Sequence, residues 1–223
     1  MTDNIEVCVF DAYGTLFDVS SVTRAIQDEV GESWQQLSEL WRSKQLQYTW
    51  LRGLGGRHAD FWTVTEEALR YAMNAFGLAD RALEARLMNQ YLQIAAYPDA
   101  RLTLQVLRDR GMRTAILSNG TPQMLDSAVR NAGLAPLLDK VLSVEQVGVF
   151  KPHPAVYQLA CDTFGVKAGQ VCFVSSNGWD AFSAKAFGFN VVWCNRQRQP
   201  AEHIPEMPDA QIEELLELPG VLG

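Results

Sequence analysis

No stretch of this 223-residue chain approaches the roughly 20 consecutive apolar residues that a membrane-spanning helix requires. No run of Lys or Arg is present to displace counterions from a phosphate backbone, and the net charge is −7, which argues against a nucleic-acid partner. The start, MTDNIEVCVF, has neither a basic lead nor a long apolar segment, so no secretory signal is expected. The four cysteines, Cys8, Cys161, Cys172 and Cys194, show no C-x-x-C spacing and sit among apolar residues. Free buried thiols in a reducing cytoplasm are expected, rather than disulfides or a metal centre. Internal repeats and low-complexity segments are also missing.

What remains is the composition of an ordinary globular protein, 48% hydrophobic and 20% charged. The length suits one medium domain, or a core carrying an inserted subdomain. The negative charge constrains any anionic substrate: its attraction must come from a few cations placed locally in a cleft, because the overall field repels it.

Four short apolar or β-branched runs end where polar residues gather: Glu6–Phe10 before Asp11, Thr114–Leu117 before Ser118, Lys140–Ser143 near Glu145, and Val171–Val174 before Ser175. A fifth run covers Asn190–Cys194, and helix-like stretches cover Thr121–Ala132, His153–Phe164 and Asp180–Phe187. This alternation predicts a parallel sheet with right-handed crossovers, an α/β fold whose site lies beyond the carboxyl ends of the strands. Asp11, Ser118 and Ser175 all fall at such ends.

Between about Val19 and Tyr97 the alternation stops. Trp34, Leu37, Trp41, Tyr48 and Leu51 recur at helical steps, and TEEALRYAMNAFG shows another such pattern ending at Gly77. This predicts a helical subdomain, residues 19–97, inserted into a core of residues 1–18 and 98–223 and closing over the site. YPDA at Tyr97–Ala100 starts a helix leading back to the core, and the Pro-punctuated tail is expected to end in a short amphipathic helix.

Taken singly, the polar clusters are weak signals. Asp11 in D-x-Y-G-T could be a helix cap or a loop acid. As a carboxylate nucleophile it would need Gly14 for a tight turn and the Thr15 hydroxyl to orient it. ILSNG, Ile116–Gly120, is a turn signal that also offers side-chain and backbone donors to an anion. Lys151 in VFKPHP is a cation ahead of a helix, and FVSSNGWD sets Ser175, Ser176, Asn177 and Asp180 between a strand and a helix.

Together, D-x-Y-G-T-L-F-D, S-N-G, K-P and S-S-N-G-x-D, in this order, resemble the haloacid dehalogenase superfamily, and in detail its L-2-haloacid dehalogenases. The resemblance runs through nearly the whole chain, including WRSKQLQYTWLR in the inserted segment. It implies a Rossmann-like core with a helical cap and hydrolysis of an (S)-2-haloalkanoate to the (R)-2-hydroxyalkanoate. In that reading Asp11 displaces the halide and forms an ester, which water activated by Asp180 then hydrolyses. Lys151, Ser175, Asn177 and Thr15 hold and balance the two acids, with Lys151 expected to keep both ionised by lowering their pKa values. Ser118 and the N–H groups near Ala12 and Tyr13 resemble the family's carboxylate site, and Arg42 with Asn119 its halide cradle. Tyr13, Leu46, Phe61 and Trp179 would wall a dry pocket. Ser43 stands where some relatives carry glutamine, a change that could enlarge it. The resemblance further implies a homodimer in the cytoplasm, with no cofactor.

The superfamily's magnesium-dependent phosphatases carry a second Asp where this chain has Tyr13, to protonate a leaving alkoxide. A halide leaves as a stable anion and needs no proton. Their Gly-Asp pair, which helps bind Mg²⁺, is replaced here by Ser175-Ser176, so no metal is expected. A metal-dependent phosphatase and a fold-retaining, inactive scaffold are the alternative readings.

Overall fold

The computed structural model describes residues 4–78 and 80–223. In chain order they form β1 (Val7–Phe10), α1 (Ser20–Arg24), α2 (Gln27–Val30), α3 (Trp34–Leu54), α4 (Phe61–Ala75), α5 (Arg81–Leu92), α6 (Ala100–Asp109), β2 (Arg113–Ser118) and α7 (Pro122–Asn131). Then follow β3 (Lys140–Ser143), α8 (Pro154–Phe164), β4 (Val171–Ser175), α9 (Gly178–Phe187), β5 (Asn190–Cys194), β6 (Ala210–Ile212) and α10 (Leu218–Leu222). Six strands form one parallel sheet in the order β3-β2-β1-β4-β5-β6.

The central strand β1 reads VCVF without alternation because both its faces are covered: all four residues are fully buried. Each such Val or Phe contributes roughly 1.5–3 kcal/mol by leaving water. β1 pairs in register with β2 on one side (Phe10 beside Ile116) and β4 on the other (Phe10 beside Val174). The chain fills the β2–β3 side first and then crosses to β4. The strand order therefore reverses at the carboxyl end of β1, the place where open α/β sheets form their ligand crevice. Asp11 is the next residue.

Gly14 makes the following turn possible. Its φ of +94° lies in the region glycine favours, and its N–H donates to the Phe17 carbonyl at 2.7 Å. The chain then leaves for five helices, α1–α5, and returns beside its own exit: Asp18 N–H donates to Ala95 O and Tyr97 N–H to Leu16 O, both at 2.8 Å. Asp18 starts α1 by accepting from the Ser20 N–H at 3.0 Å and pairs with Arg24 at 2.5 Å. Arg196 ties the two connections to the core, forming two bonds of 2.8 and 2.9 Å with Asp99 while donating to the Thr15 carbonyl at 3.0 Å.

Two expectations need correcting. The buried stripe of α3 is Leu37, Trp41, Gln45 and Thr49, whereas Leu51 is 58% exposed. Four-residue steps carry the buried face onto polar positions that hydrophobicity alone does not select. The tail also holds more than a helix. β6 adds a sixth strand beside β5, three residues too short and too polar to stand out. All four cysteines are buried and free, and among the described residues no helix is long and apolar enough to cross a membrane.

Candidate active site

At the carboxyl edge of the sheet two carboxylates flank one ammonium. Lys151 Nζ lies 3.0 Å from Asp11 Oδ1 and 2.7 Å from Asp180 Oδ2. Asp11 follows β1, Lys151 precedes α8, and Asp180 sits in the first turn of α9, so three separate loops converge here. Lys151 is 1% and Asp180 0% exposed, and Asp11 is 6% exposed.

The second oxygen of Asp11 is held by the β4–α9 turn. Asn177 Nδ2 donates to Oδ2 at 2.7 Å, the Thr15 hydroxyl at 3.3 Å and the Ser175 hydroxyl at 3.5 Å. Asn177 Nδ2 also donates to the Tyr13 carbonyl at 2.9 Å, and Thr15 Oγ1 accepts from the Ser176 N–H at 2.8 Å. The turn after β1 and the turn after β4 are thereby locked together. A side chain at position 14 would point at Asn177, its Cβ 3.5 Å from Nδ2.

Asp180 has its own donors. Tyr157, on α8, gives its hydroxyl proton to Oδ1 at 2.8 Å, and the Ser175 hydroxyl, 3.3 Å from Oδ2, stands between the two acids with one proton to serve either. Burial nevertheless raises the Asp180 pKa from 3.8 to about 6, reinforced by the nearby Asp11 charge and opposed by Lys151. Lys151 does lower the Asp180 pKa, as expected, but a carboxylate stripped of water loses more than one shared cation returns, so the net value stays above 3.8. The Lys151 ammonium itself rises above its ordinary value: burial works against it, and the two carboxylates prevail. Because the folded Asp180 binds its proton more tightly than the unfolded residue does, its contribution to stability falls as pH rises from about 4 to 6.

The other residues picked out by the sequence surround this triad unevenly. Arg42, half-buried on α3, sends Nη2 to the Tyr13 carbonyl at 3.3 Å and to Asn177 Oδ1 at 3.4 Å. Asn119 is buried and its Oδ1 accepts from the Lys151 N–H at 3.0 Å. Ser118, fully buried, accepts from the Gly120 N–H at 3.1 Å. The N–H groups of Ala12 and Tyr13 find no acceptor among the described residues. Tyr13 stacks on Phe61, ring centroids 5.7 Å apart, and lies 5.4 Å from Tyr91. A Cβ at Gly120 would come within 2.8 Å of the Tyr13 ring, so only glycine allows that approach.

A cavity of about 450 Å³ lies between α3, the β4–α9 turn and the segment after β5. Arg42, Leu46, Asn177 and Trp179 line it, together with Ser43, but Asp11, Phe61, Ser118 and Asn119 do not. The predicted residues thus divide between a closed inner cluster and a more open outer chamber, with Arg42 and Asn177 at the join.

Residues 5–188 match the family of haloacid dehalogenase-like hydrolases. The chain belongs to that family. As a haloacid dehalogenase-like hydrolase it is 48% identical over 221 residues to (S)-2-haloacid dehalogenase 1 of Pseudomonas sp. (strain CBS-3), across 99% of this chain and 97% of that one. It is also 48% identical over 219 residues to (S)-2-haloacid dehalogenase 4A of Burkholderia cepacia, across 98% and 95% of the two chains. The solved structure of L-2-haloacid dehalogenase from Xanthobacter autotrophicus with chloropropionic acid covalently bound superposes with a TM-score of 0.92 at 40% identity, covering 98% of both chains.

Sequence reasoning passed over two side chains of this haloacid dehalogenase-like hydrolase. Tyr157 reads as a helical core aromatic, and only the fold brings its hydroxyl to Asp180. Gln45 reads as a surface residue, yet it is 1% exposed and accepts from Arg42 Nη1 at 2.7 Å.

Proposed function

We propose that this chain hydrolyses (S)-2-haloalkanoic acids to (R)-2-hydroxyalkanoic acids, inverting C2, through an ester formed on Asp11 and without a metal. The observation that carries the reading is the buried Asp11–Lys151–Asp180 cluster: one acid held by donors on both oxygens and a second at the same ammonium.

Asp11 attacks C2 opposite the halogen. The C2–O bond forms as the carbon–halogen bond breaks, and the halide leaves with the bonding pair. Arg42 and Asn119 stabilise the departing charge, while Ser118 and the N–H groups of Ala12 and Tyr13 hold the substrate carboxylate. Water then adds to the Asp11 ester carbon and gives a proton to ionised Asp180. Collapse breaks the bond from Cγ to the substrate oxygen, and the leaving alkoxide takes that proton back from Asp180. Asp11 loses the second proton to solvent, so one halide and one H⁺ are released per turnover. Lys151, Asn177, Thr15 and Ser175 keep both acids oriented. Tyr13 and Phe61 wall the inner cluster beside Asp11, Leu46 and Trp179 wall the outer chamber, and poor solvation of the inner part sharpens the nucleophile.

The donor set does not suit Mg²⁺, which favours a cage rich in hard, anionic oxygens: both carboxylates already engage the Lys151 ammonium. We read residues 19–97 as the cap and residues 1–18 with 98–223 as the core. Exposed Leu51 and Leu54 on α3 support a homodimer formed through the cap. With its free cysteines, the chain is read as cytoplasmic.

The direct test is halide release from (S)-2-chloropropionate in excess EDTA. Release with (R)-lactate as product supports the reading, whereas Mg²⁺-dependent turnover of phosphate esters with no halide release contradicts it. Arg42→Ala should slow halide release about 10²–10³-fold, the usual cost of losing one donor aimed at developing charge. A merely solvated helix arginine would give almost no change. Ester hydrolysis should fall about tenfold per pH unit once Asp180 gains its proton, at a pH below the free protein's value of about 6 because the ester removes the Asp11 charge, and stay level above it. A pH profile with no acid limb would argue against Asp180 as the base.

A further inference from the structure

Arg42 does not hold its own position. Its guanidinium is planar and carries its donors in a fixed fork, so whatever binds one edge sets the direction of the rest. Nη1 donates to Gln45 Oε1 at 2.7 Å, and Gln45 is three residues along the same helix, on the adjacent buried face.

A glutamine amide is nearly symmetrical in shape, so its partners must decide which end faces Arg42. The accounting of protons decides it here. Thr65 is fully buried on α4, and its single hydroxyl proton goes to the Phe61 carbonyl at 2.6 Å. Its oxygen can then only accept, and it does so from Gln45 Nε2 at 2.7 Å. Nε2 also reaches the Tyr91 hydroxyl on α5 at 3.1 Å. With the NH₂ end committed to Thr65 and Tyr91, Oε1 has to face Arg42. A hydrogen-bonded chain therefore runs from the Phe61 carbonyl through Thr65 and Gln45 to the guanidinium, joining α4 to α3 in a buried setting, with Tyr91 of α5 as a side branch at Gln45. An unsatisfied polar group there would be costly, which is what makes the orientation rigid.

We infer that Gln45 is a positioning residue: oriented by Thr65, it holds the Arg42 guanidinium against Tyr13 and Asn177 so that Nη2 faces the halide. The inference rests on the proposed dehalogenase reading and deepens it. Gln45 contacts no reacting atom, so all of its effect must pass through Arg42.

The experiment is a double-mutant cycle read by single-turnover halide release from (S)-2-chloropropionate and (S)-2-bromopropionate. Gln45→Met should slow chloride release about 10- to 100-fold, as losing a hydrogen-bond partner behind a site ligand commonly does. Bromide release should suffer less, because bromide is the better leaving group and depends less on Arg42. In an Arg42→Ala background, Gln45→Met should change the rate by no more than about twofold. Thr65→Val keeps the shape of the threonine, removes the acceptor and should give the same pattern with a smaller loss, so the test survives if Gln45→Met does not fold. Equal losses with and without Arg42, or with both halides, would overturn the inference, as would an unchanged rate in folded Gln45→Met. If the unmodified protein releases no halide at all, the dehalogenase reading fails instead.

Discussion

Asp11→Asn releases no measurable halide from (S)-2-chloropropionate, a loss on the order of 10⁴-fold or more, in line with removing the nucleophile from a catalytic set that acts as a unit. The protein should remain folded. Asn177 and Thr15 would still surround an isosteric side chain, and Lys151 keeps its bond to Asp180. Loss of activity with near-UV circular dichroism and Tm largely preserved is therefore the expected result. Halide release that survives the substitution would mean that another group, or water directly, attacks C2.

Asp180→Asn separates the two halves of the reaction. Asp11 remains, with Arg42 and Asn119 untouched, so the first displacement proceeds and about one equivalent of halide appears. Water then has no base, and turnover stalls by about 10²–10⁴-fold, the usual contribution of a positioned proton acceptor. Mass spectrometry of the stalled protein should find a 1-carboxyethyl ester, the substrate less its chloride, on the peptide containing Asp11. Steady turnover without adduct would assign the base elsewhere. The sign of the pH effect follows from the same residue: burial raises its pKa to about 6, so acid silences the hydrolysis step first.

The parts of this site that could be read from the sequence share one physical property. Asp11, Ser118 and Ser175 end apolar runs, and a parallel sheet brings the carboxyl ends of its strands to one edge. Linear patterns there translate directly into proximity. Lys151 and Asp180 followed because they stand at the starts of α8 and α9, the helices that leave from that edge. β6 was not legible: three residues, only one of them buried, lie in a segment punctuated by prolines and carry no pattern of their own.

Other misses came from burial, which sequence states only as an average. The aromatic spacing of α3 pointed to Tyr48 and Leu51, while the inner face turned out to hold Gln45 and Thr49. Their partners come from α4 and α5, and nothing local announces them. Tyr157 is a similar case, an aromatic whose ring packs near Phe173 while its hydroxyl serves Asp180. For Asp180 the lowering by Lys151 was legible, because the opposite charge is visible in the motifs, whereas the larger rise from lost solvent was not.

The central claim is that the carboxylate of Asp11, and not a water molecule, attacks C2. One turnover in H₂¹⁸O with enzyme in excess tests it most directly. Because water adds to the ester carbon of Asp11, the heavy oxygen should appear in the Asp11 carboxylate, and the 2-hydroxy acid released should carry none. Label found in the hydroxy acid and absent from Asp11 would contradict the account.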